Sequence, residues 1–147
     1  MKRAILLILC ILTLALLCGC GGKEQETMTT TSRDKAVTFI NGARDADIWI
    51  LPDTQENRKT TLWGTATASK VKTDESRLAP LCEEGDNGRY LLRMIDTDGF
   101  YYAADSITLQ DGWTLRIYET DVMASTLEVT DGSGVKQGTY EVFCARL

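Results

Sequence analysis

The side chains that could do chemistry in this chain are acids and cysteines. Its 147 residues include 21 Asp and Glu and five Cys, but no histidine. Serine and cysteine hydrolases that depend on a histidine base are therefore excluded, and so are zinc and haem sites with histidine ligands. A hydrolase that works through a pair of carboxylates stays open as an alternative function.

The acids and glycine of residues 96–99, Asp-Thr-Asp-Gly, suggest a calcium site. An EF-hand loop with Gly99 at its sixth position would begin at Met94, where a carboxylate is required, so the EF-hand is excluded. A site that collects Asp86, Asp96 and Asp98 from neighbouring loops stays open and would give a calcium-stabilised structural module. Tight turns select the same residue types. We therefore expect a turn here, with no metal and no cofactor.

Cys82 and Cys144 are too far apart in sequence for a Cys-x-x-Cys redox or zinc motif. Cys144 has the same parity as Tyr140 and Val142, which favours a buried thiol. In an exported protein a Cys82–Cys144 disulfide is the competing hypothesis. The sequence does not choose between them.

Residues 54–76 form a long, mostly polar stretch in which Trp63 stands out. Long connections in compact domains are usually functional or disordered, so this stretch is the preferred place for a binding surface. We expect Trp63 to be its aromatic anchor, with Arg58 and Lys59 as its polar rim. The ligand would be a peptide, a glycan or another envelope protein.

The beginning of the chain has the pattern of an export signal. Lys2 and Arg3 precede residues 4–17, which are apolar except for Thr13. That length suits the apolar part of a signal peptide and is short of the ~20 residues that a membrane-spanning helix needs. An uncleaved membrane anchor is the less favoured interpretation.

The next four residues, Leu17-Cys18-Gly19-Cys20, resemble the lipobox of bacterial lipoproteins. That family has an aliphatic residue three positions before the modified cysteine and a small residue immediately before it. Leu17 and Gly19 meet both requirements for Cys20, whereas Cys18 follows a leucine. The resemblance implies that residues 1–19 are a cleaved signal peptide and that Cys20 is the lipidated N-terminus. The protein would then be extracytoplasmic and lipid-anchored to the cell membrane or the outer membrane.

Residues 20–35 have no apolar periodicity and are rich in Gly, Thr, Lys and Glu, which is typical of a flexible tether. The whole chain has a formal charge of −5. Cleavage removes Lys2 and Arg3 and leaves 14 basic against 21 acidic residues, a charge of −7. Nucleic acid is therefore not an expected partner, since it requires a basic face.

Residues 36–147 show short alternating segments separated by Gly, Asp and Pro, with no sustained helical period. This pattern predicts an all-β domain, an antiparallel β-sandwich of seven or eight short strands. Pro80 places residues 77–81 on a sheet edge, because proline cannot donate to a ladder. Around Gln110-Asp111-Gly112, parity predicts a bulged hairpin that pairs Leu109 with Trp113 and holds Gly112 at positive φ.

Four motifs in residues 37–109 resemble a small, largely uncharacterised β-sandwich module of bacterial surface proteins: Phe39-Ile40-Asn41, Leu62-x-Gly64, Asp74-Glu75-Ser76 and the run from Arg93 to Tyr101. The resemblance implies a fold and no functional residue. Together these observations predict a membrane-anchored, non-catalytic domain that binds a ligand or an envelope partner or serves in structural display.

Overall fold

A computed structural model of the chain describes residues 35–81, 88–121 and 124–147. The predicted signal peptide, the lipobox and all of the tether except its last residue lie outside this part of the chain, as do Cys82 and Asp86. Within the described ranges, no helix is long and apolar enough to cross a lipid bilayer.

The described residues are mostly β-structure, which confirms the all-β prediction. One short helix, α1, covers Gln55–Lys59. The strands in chain order are β1 Ala36–Gly42, β2 Ala46–Pro52, β3 Ala68–Val71, β4 Ser76–Pro80, β5 Arg89–Asp96, β6 Phe100–Thr108, β7 Thr114–Asp121, β8 Ala124–Thr130 and β9 Lys136–Arg146.

The nine strands form one sheet in the order β3-β2-β5-β6-β9-β8-β7-β1-β4. The predicted sandwich of seven or eight antiparallel strands is therefore not confirmed in its detail, and β1 and β7 run parallel. Strand β9 pairs with β8 through its first part and with β6 through its last four residues, so it joins the two halves of the sheet. The edge strands β3 and β4 meet near the turn between them, and the sheet curls almost into a barrel.

The core lies on the inner face of this curled sheet and draws on both halves. Phe39, Leu115 and Ile117 come from one half, and Ile48 and Met94 from the other, all with no exposed surface. Strands β7 and β8 alternate between buried and more exposed residues, as expected of strands with one face toward water.

The buried side chain of Asn41 stabilises the region where the edge strands β3 and β4 approach each other. Its side-chain nitrogen donates to the carbonyl oxygens of Val71, at 3.0 Å, and Arg44, at 2.8 Å. Its side-chain oxygen accepts from the backbone N–H of Ala43 at 3.1 Å. The amide thereby links the end of β1 to the end of β3. Strand β4 is an edge strand, as Pro80 predicted.

The prediction for Gln110 to Gly112 is right about the turn and wrong about the strand pairing around it. Gly112 has φ +78° and Trp113 N–H donates to the Gln110 carbonyl, so the turn exists. However, β6 pairs with β5 and β9, and β7 pairs with β8 and β1, so Leu109 and Trp113 are not partners. The turn instead carries the chain from one half of the sheet to the other. Leu109 and Trp113 still pack on the core, because both halves face it.

Candidate functional site

The segment of residues 53–67 lies over the outer face of the sheet half formed by β2, β5 and β6. The indole N–H of Trp49, on β2, donates to the carbonyl oxygen of Gly64 at 3.1 Å. The hydroxyl of Thr67 accepts from the backbone N–H of Ile50 at 2.9 Å. Gly64 has φ +68°, a conformation that glycine adopts without strain and that turns the chain back toward β2. We call residues 53–67 the covering segment.

An ion pair holds the first turn of the covering segment. Arg58, in α1, binds the carboxylate of Asp53 through two bonds, Nε to Oδ1 at 2.5 Å and Nη2 to Oδ2 at 2.7 Å. The Asp53 side chain is only 4% exposed. The helix between them begins with a side-chain cap, since the Thr54 hydroxyl accepts from Asn57 N–H at 3.1 Å. The guanidinium of Arg58 holds the pKa of Asp53 below its ordinary value, against the opposing effect of burial.

A β-bulge in β6 brings two further side chains to this ion pair. The register shifts between Tyr90 and Leu92, so that Asp105 and Ser106 together oppose Leu91. Ser106 has φ +55°, which is uncommon for a residue other than glycine. Its hydroxyl donates to Asp53 Oδ2 at 3.0 Å and accepts from Arg58 Nη2 at 2.8 Å. The bulge therefore ties the covering segment to the sheet.

The covered face buries two residues that an outer sheet face would ordinarily expose. Leu91 and Arg93 have the outward parity of β5, yet Leu91 has no exposed surface and the Arg93 side chain is 6% exposed. The Nη1 atom of Arg93 donates to the carbonyl oxygens of Leu92 and Ala104 and to Asp105 Oδ1, the last at 2.7 Å. Arg93 is thus a buried cation held by its own strand, the neighbouring strand and one carboxylate.

Four aromatic rings form a row across the same face. Trp63 lies 5.4 Å from Trp49, tilted by 58°, and 5.6 Å from Tyr101, with the two ring planes only 12° apart. Phe143 on β9 meets Tyr101 edge-on at 6.5 Å and is 63% exposed. The Trp63 indole N–H donates to the carbonyl of Thr60 at 2.9 Å, which fixes the ring. Burial raises the pKa of Tyr101.

Between the covering segment and the sheet is an open groove of about 370 Å³, at the small end of the roughly 300–1,000 Å³ typical of ligand sites. Its lining combines hydroxyls, apolar side chains and cations, from Arg58, Lys59, Thr60, Thr61, Trp63, Arg93, Ile95, Tyr101 and Leu147. Three of these described residues are cationic and none is acidic, in a chain whose overall formal charge is −5.

The structure brings the predicted binding residues Trp63, Arg58 and Lys59 into this one groove. Their surroundings differ from the prediction in two respects. Trp63 is not a single exposed platform, because Tyr101 stacks on it. The Nε and Nη2 atoms of Arg58 are engaged by Asp53, so this residue holds the segment in place as well as lining the groove.

The calcium candidates have other partners in the structure. Asp96 Oδ1 accepts from the backbone N–H of Asp98 and of Phe100, and Oδ2 accepts from the Tyr102 hydroxyl at 3.0 Å. The Asp98 carboxylate pairs with Arg44 at 2.5 Å. These are the contacts of a tight turn between β5 and β6. Asp86, Leu17, Gly19, Cys20 and the Cys82 half of the suggested disulfide fall outside the described residues.

Sequence reasoning missed Leu91, Arg93, Asp105 and Ser106, which the burial pattern of strands β5 and β6 identifies. The buried residues Tyr102 and Ala104 are even-numbered, whereas Ile107 and Leu109 are odd-numbered, and such a change of parity requires a bulge between them. In β5 the five consecutive residues 90–94 are all buried, which requires cover on both faces.

No protein-family model matches the chain, and no curated protein or solved structure does either.

Proposed function

We propose that this chain is an extracytoplasmic lipoprotein whose β-domain is a non-catalytic binding module for another protein of the cell envelope. The observation that carries the binding proposal is the groove, in which aromatic rings and cations meet on an outer sheet face. Aromatic residues and arginine are the types enriched at the centres of protein interfaces.

Exposed apolar residues beside the groove favour a protein partner over a glycan. Leu62 is 87% exposed, and it adjoins Trp63 in the covering segment, while Phe143 extends the aromatic row. Apolar groups gathered around a recessed site are typical of interaction surfaces. A sugar, in contrast, needs a free aromatic face, whereas Trp63 has Tyr101 stacked on one face and the Trp49 ring only 5.4 Å away.

The two alternative functions have less support. A hydrolase of the glycosidase type needs one carboxyl group that is protonated as an acid. Asp53, beside the groove, has a lowered pKa and is held by Arg58 and Ser106, so it suits an ion pair better than proton donation. The calcium-stabilised module depended on Asp86, which lies outside the described residues, and on Asp96 and Asp98, whose oxygens accept bonds from protein N–H and O–H groups.

The lipid anchor is supported by sequence alone, through Leu17, Gly19 and Cys20. Two or more acyl chains on Cys20 would hold the protein stably at a membrane, where a single chain would not. Cys20→Ala should leave an unprocessed precursor without lipid, measured by mass spectrometry of the membrane fraction. Normal cleavage and lipidation of that variant would contradict the assignment.

For the fold, we propose a sandwich-like arrangement as the finer description. It is supported by the single core, to which strands from both halves of the sheet contribute. In this description β9 passes from one layer to the other. The proposed binding face would then be the outer surface of one layer.

Site-specific photo-cross-linking in intact cells tests the binding role. A photo-reactive amino acid replaces Leu62, beside the groove, or Leu78, on the edge strand β4. Both leucines are strongly exposed, at 87% and 73%, so they are matched controls. We expect a discrete adduct from position 62 that is lost when Trp63 is also changed to Ala. Adducts from position 78 alone, or from position 62 regardless of Trp63, would contradict the proposal.

A further inference from the structure

The groove contains a guanidinium edge without a partner, and this edge indicates what the groove binds. Arg93 makes all its described hydrogen bonds through Nη1. No hydrogen bond within the described residues uses its Nε or Nη2. Every fully buried side-chain nitrogen among those residues has a partner, so Nε and Nη2 are not fully buried, although the Arg93 side chain as a whole is only 6% exposed. Since Arg93 lines the groove, that is where they are accessible.

Nε and Nη2 together form the edge of arginine that binds a carboxylate through two parallel hydrogen bonds. Arg58 shows this use nearby, since its Nε and Nη2 bind the two oxygens of Asp53. Arg93 has the same edge free, at the floor of a groove with no acidic lining residue. The two arginines therefore differ in where the chain's own carboxylate binds: Asp53 occupies the Nε–Nη2 edge of Arg58, whereas Asp105 binds Arg93 at Nη1.

Resting on the proposed function, we infer that the groove binds the acidic side chain of a protein partner, with its carboxylate on Nε and Nη2 of Arg93. The apolar body of the neighbouring partner residues would pack against Trp63, Tyr101 and Ile95. Lys59, at the rim and without an ion pair among the described residues, adds a second positive charge. Charge complementarity decides the occupant, because a buried cation is most favourable when it is fully paired.

Nearby acids reduce this positive charge without cancelling it. Asp53 is taken up by Arg58. Asp105 binds Nη1 of Arg93 and lies 3.9 Å from Nη1 of Arg58, with its side chain 46% exposed. Counted over side chains, these two carboxylates and the three cations Arg58, Lys59 and Arg93 leave one net positive charge at the groove. Asp105 is therefore an internal competitor of the incoming carboxylate.

The test uses the full chain in detergent micelles and two capped tetrapeptides, Gly-Phe-Glu-Gly and Gly-Phe-Gln-Gly. Binding is followed by NMR through the Arg93 Nε–H signal and the Trp63 indole signal, with the Trp113 indole, outside the groove, as a control for folding. We expect the Glu peptide to shift both groove signals and the Gln peptide to bind at least about fivefold more weakly, because a charged hydrogen bond is lost.

Two variants locate the recognition. Arg93→Lys keeps the charge but removes the two-pronged edge, and should weaken binding of the Glu peptide about tenfold. Asp105→Asn removes the internal competitor and should strengthen it a few-fold, an effect in the opposite direction from that of structural damage. If Arg93→Lys fails to fold, the affinity of Asp105→Asn for the Glu peptide is the deciding measurement. An unchanged affinity in that variant overturns the inference.

The remaining outcomes separate this inference from the proposed function. Equal binding of both peptides, lost in Trp63→Ala, would overturn carboxylate recognition while leaving a peptide-binding groove. Tighter binding of methyl glucuronide than of the Glu peptide would identify an acidic glycan as the occupant and overturn the protein partner. At a probe concentration of about 10 mM, a ligand with a Kd of about 1 mM would nearly saturate the protein. No shift from any of these probes at that concentration would overturn the inference. The cross-link from position 62 would still judge the proposed function independently.

Discussion

The outer faces of the two halves of this sheet differ in how much of their surface is exposed to solvent. On β7 and β8 the outward residues include Thr114, Arg116 and Glu128, which face solvent, and burial alternates residue by residue. On β5 the alternation disappears, because the covering segment buries Leu91 and Arg93 from outside. The bare face is an ordinary half-solvated sheet, whereas the covered face has become a small second layer.

The difference shows how a simple β-domain acquires a site. Its own connection, residues 53–67, folds back on the sheet and brings Trp63 against Tyr101. At the bulge, Ser106 bonds both Asp53 and Arg58 of this connection, and the Asp105 carboxylate lies 3.9 Å from Arg58. The groove that combines aromatic rings with cations lies on the covered half, and the proposed function is assigned there for that reason.

The largest expected effect on stability is at Leu91, on the covered face. Leu91→Ala should destabilise the protein by about 2–5 kcal/mol, as for a core leucine, although its parity is that of an outer face. Arg116→Ala, at an outward position on the bare face where the guanidinium lies over Tyr118, should cost no more than about 1 kcal/mol. Urea unfolding followed by tryptophan fluorescence measures both. Similar small effects from the two variants would show that the covering segment does not form a second layer.

Gly112 tests the turn that carries the chain from the covered half to the bare half. Gly112→Val should cost about 1–3 kcal/mol, because a β-branched residue is strained at φ +78° even though open space surrounds the position. The matched control is Gly132→Ala, where φ is not positive and the nearest atom to an added methyl lies at 3.7 Å. Equal thermal stability of Gly112→Val and the wild-type protein would contradict the turn geometry.

The ion pair of the covering segment should make a smaller, pH-dependent contribution. Asp53→Asn should cost about 1–2 kcal/mol at neutral pH, a modest value because Arg58 is partly exposed. The folded-state pKa of Asp53 is lowered, so its stabilisation is fully present above the ordinary carboxyl pKa of about 4 and is lost as pH falls through the folded value.

Unfolding free energies at pH 7, at about pH 4 and at about pH 2.5 check this sign. The difference between the wild-type protein and Asp53→Asn should shrink toward low pH. A difference that grows as the pH falls would mean that Asp53 is not the ionised partner of Arg58. Ser106→Ala, which removes one neutral hydrogen-bond partner of the same carboxylate, should produce a weaker form of the same trend.

The sequence predicted the bare half of the sheet better than the covered half, for a physical reason. Alternation of apolar and polar residues in β7 and β8 indicates strands with one face toward water, and Pro80 indicates that β4 lies at an edge of the sheet. Parity could not indicate that β7 pairs in parallel with β1, with Thr114 opposite Thr38, 76 residues earlier. An inward-facing residue is buried whichever strand lies beside it. For the site, the sequence indicated Trp63, Arg58 and Lys59 but not their surroundings. Tyr101 contacts Trp63, Asp105 lies near Arg58 and Arg93 lines the same groove only because the fold brings together residues far apart in sequence.

The most direct test of the central claim compares the two faces in one binding experiment. The envelope partner identified by the cross-link from position 62 is purified, and its affinity for the full chain is measured by calorimetry. Trp63→Ala on the covered face should weaken binding at least about tenfold, as expected at an interface hot spot. Arg116→Ala on the bare face, whose guanidinium lies 4.8 Å over Tyr118, should change affinity by less than about twofold. Unchanged affinity in Trp63→Ala, or a larger loss in Arg116→Ala, would contradict the claim that the covered face is the binding face.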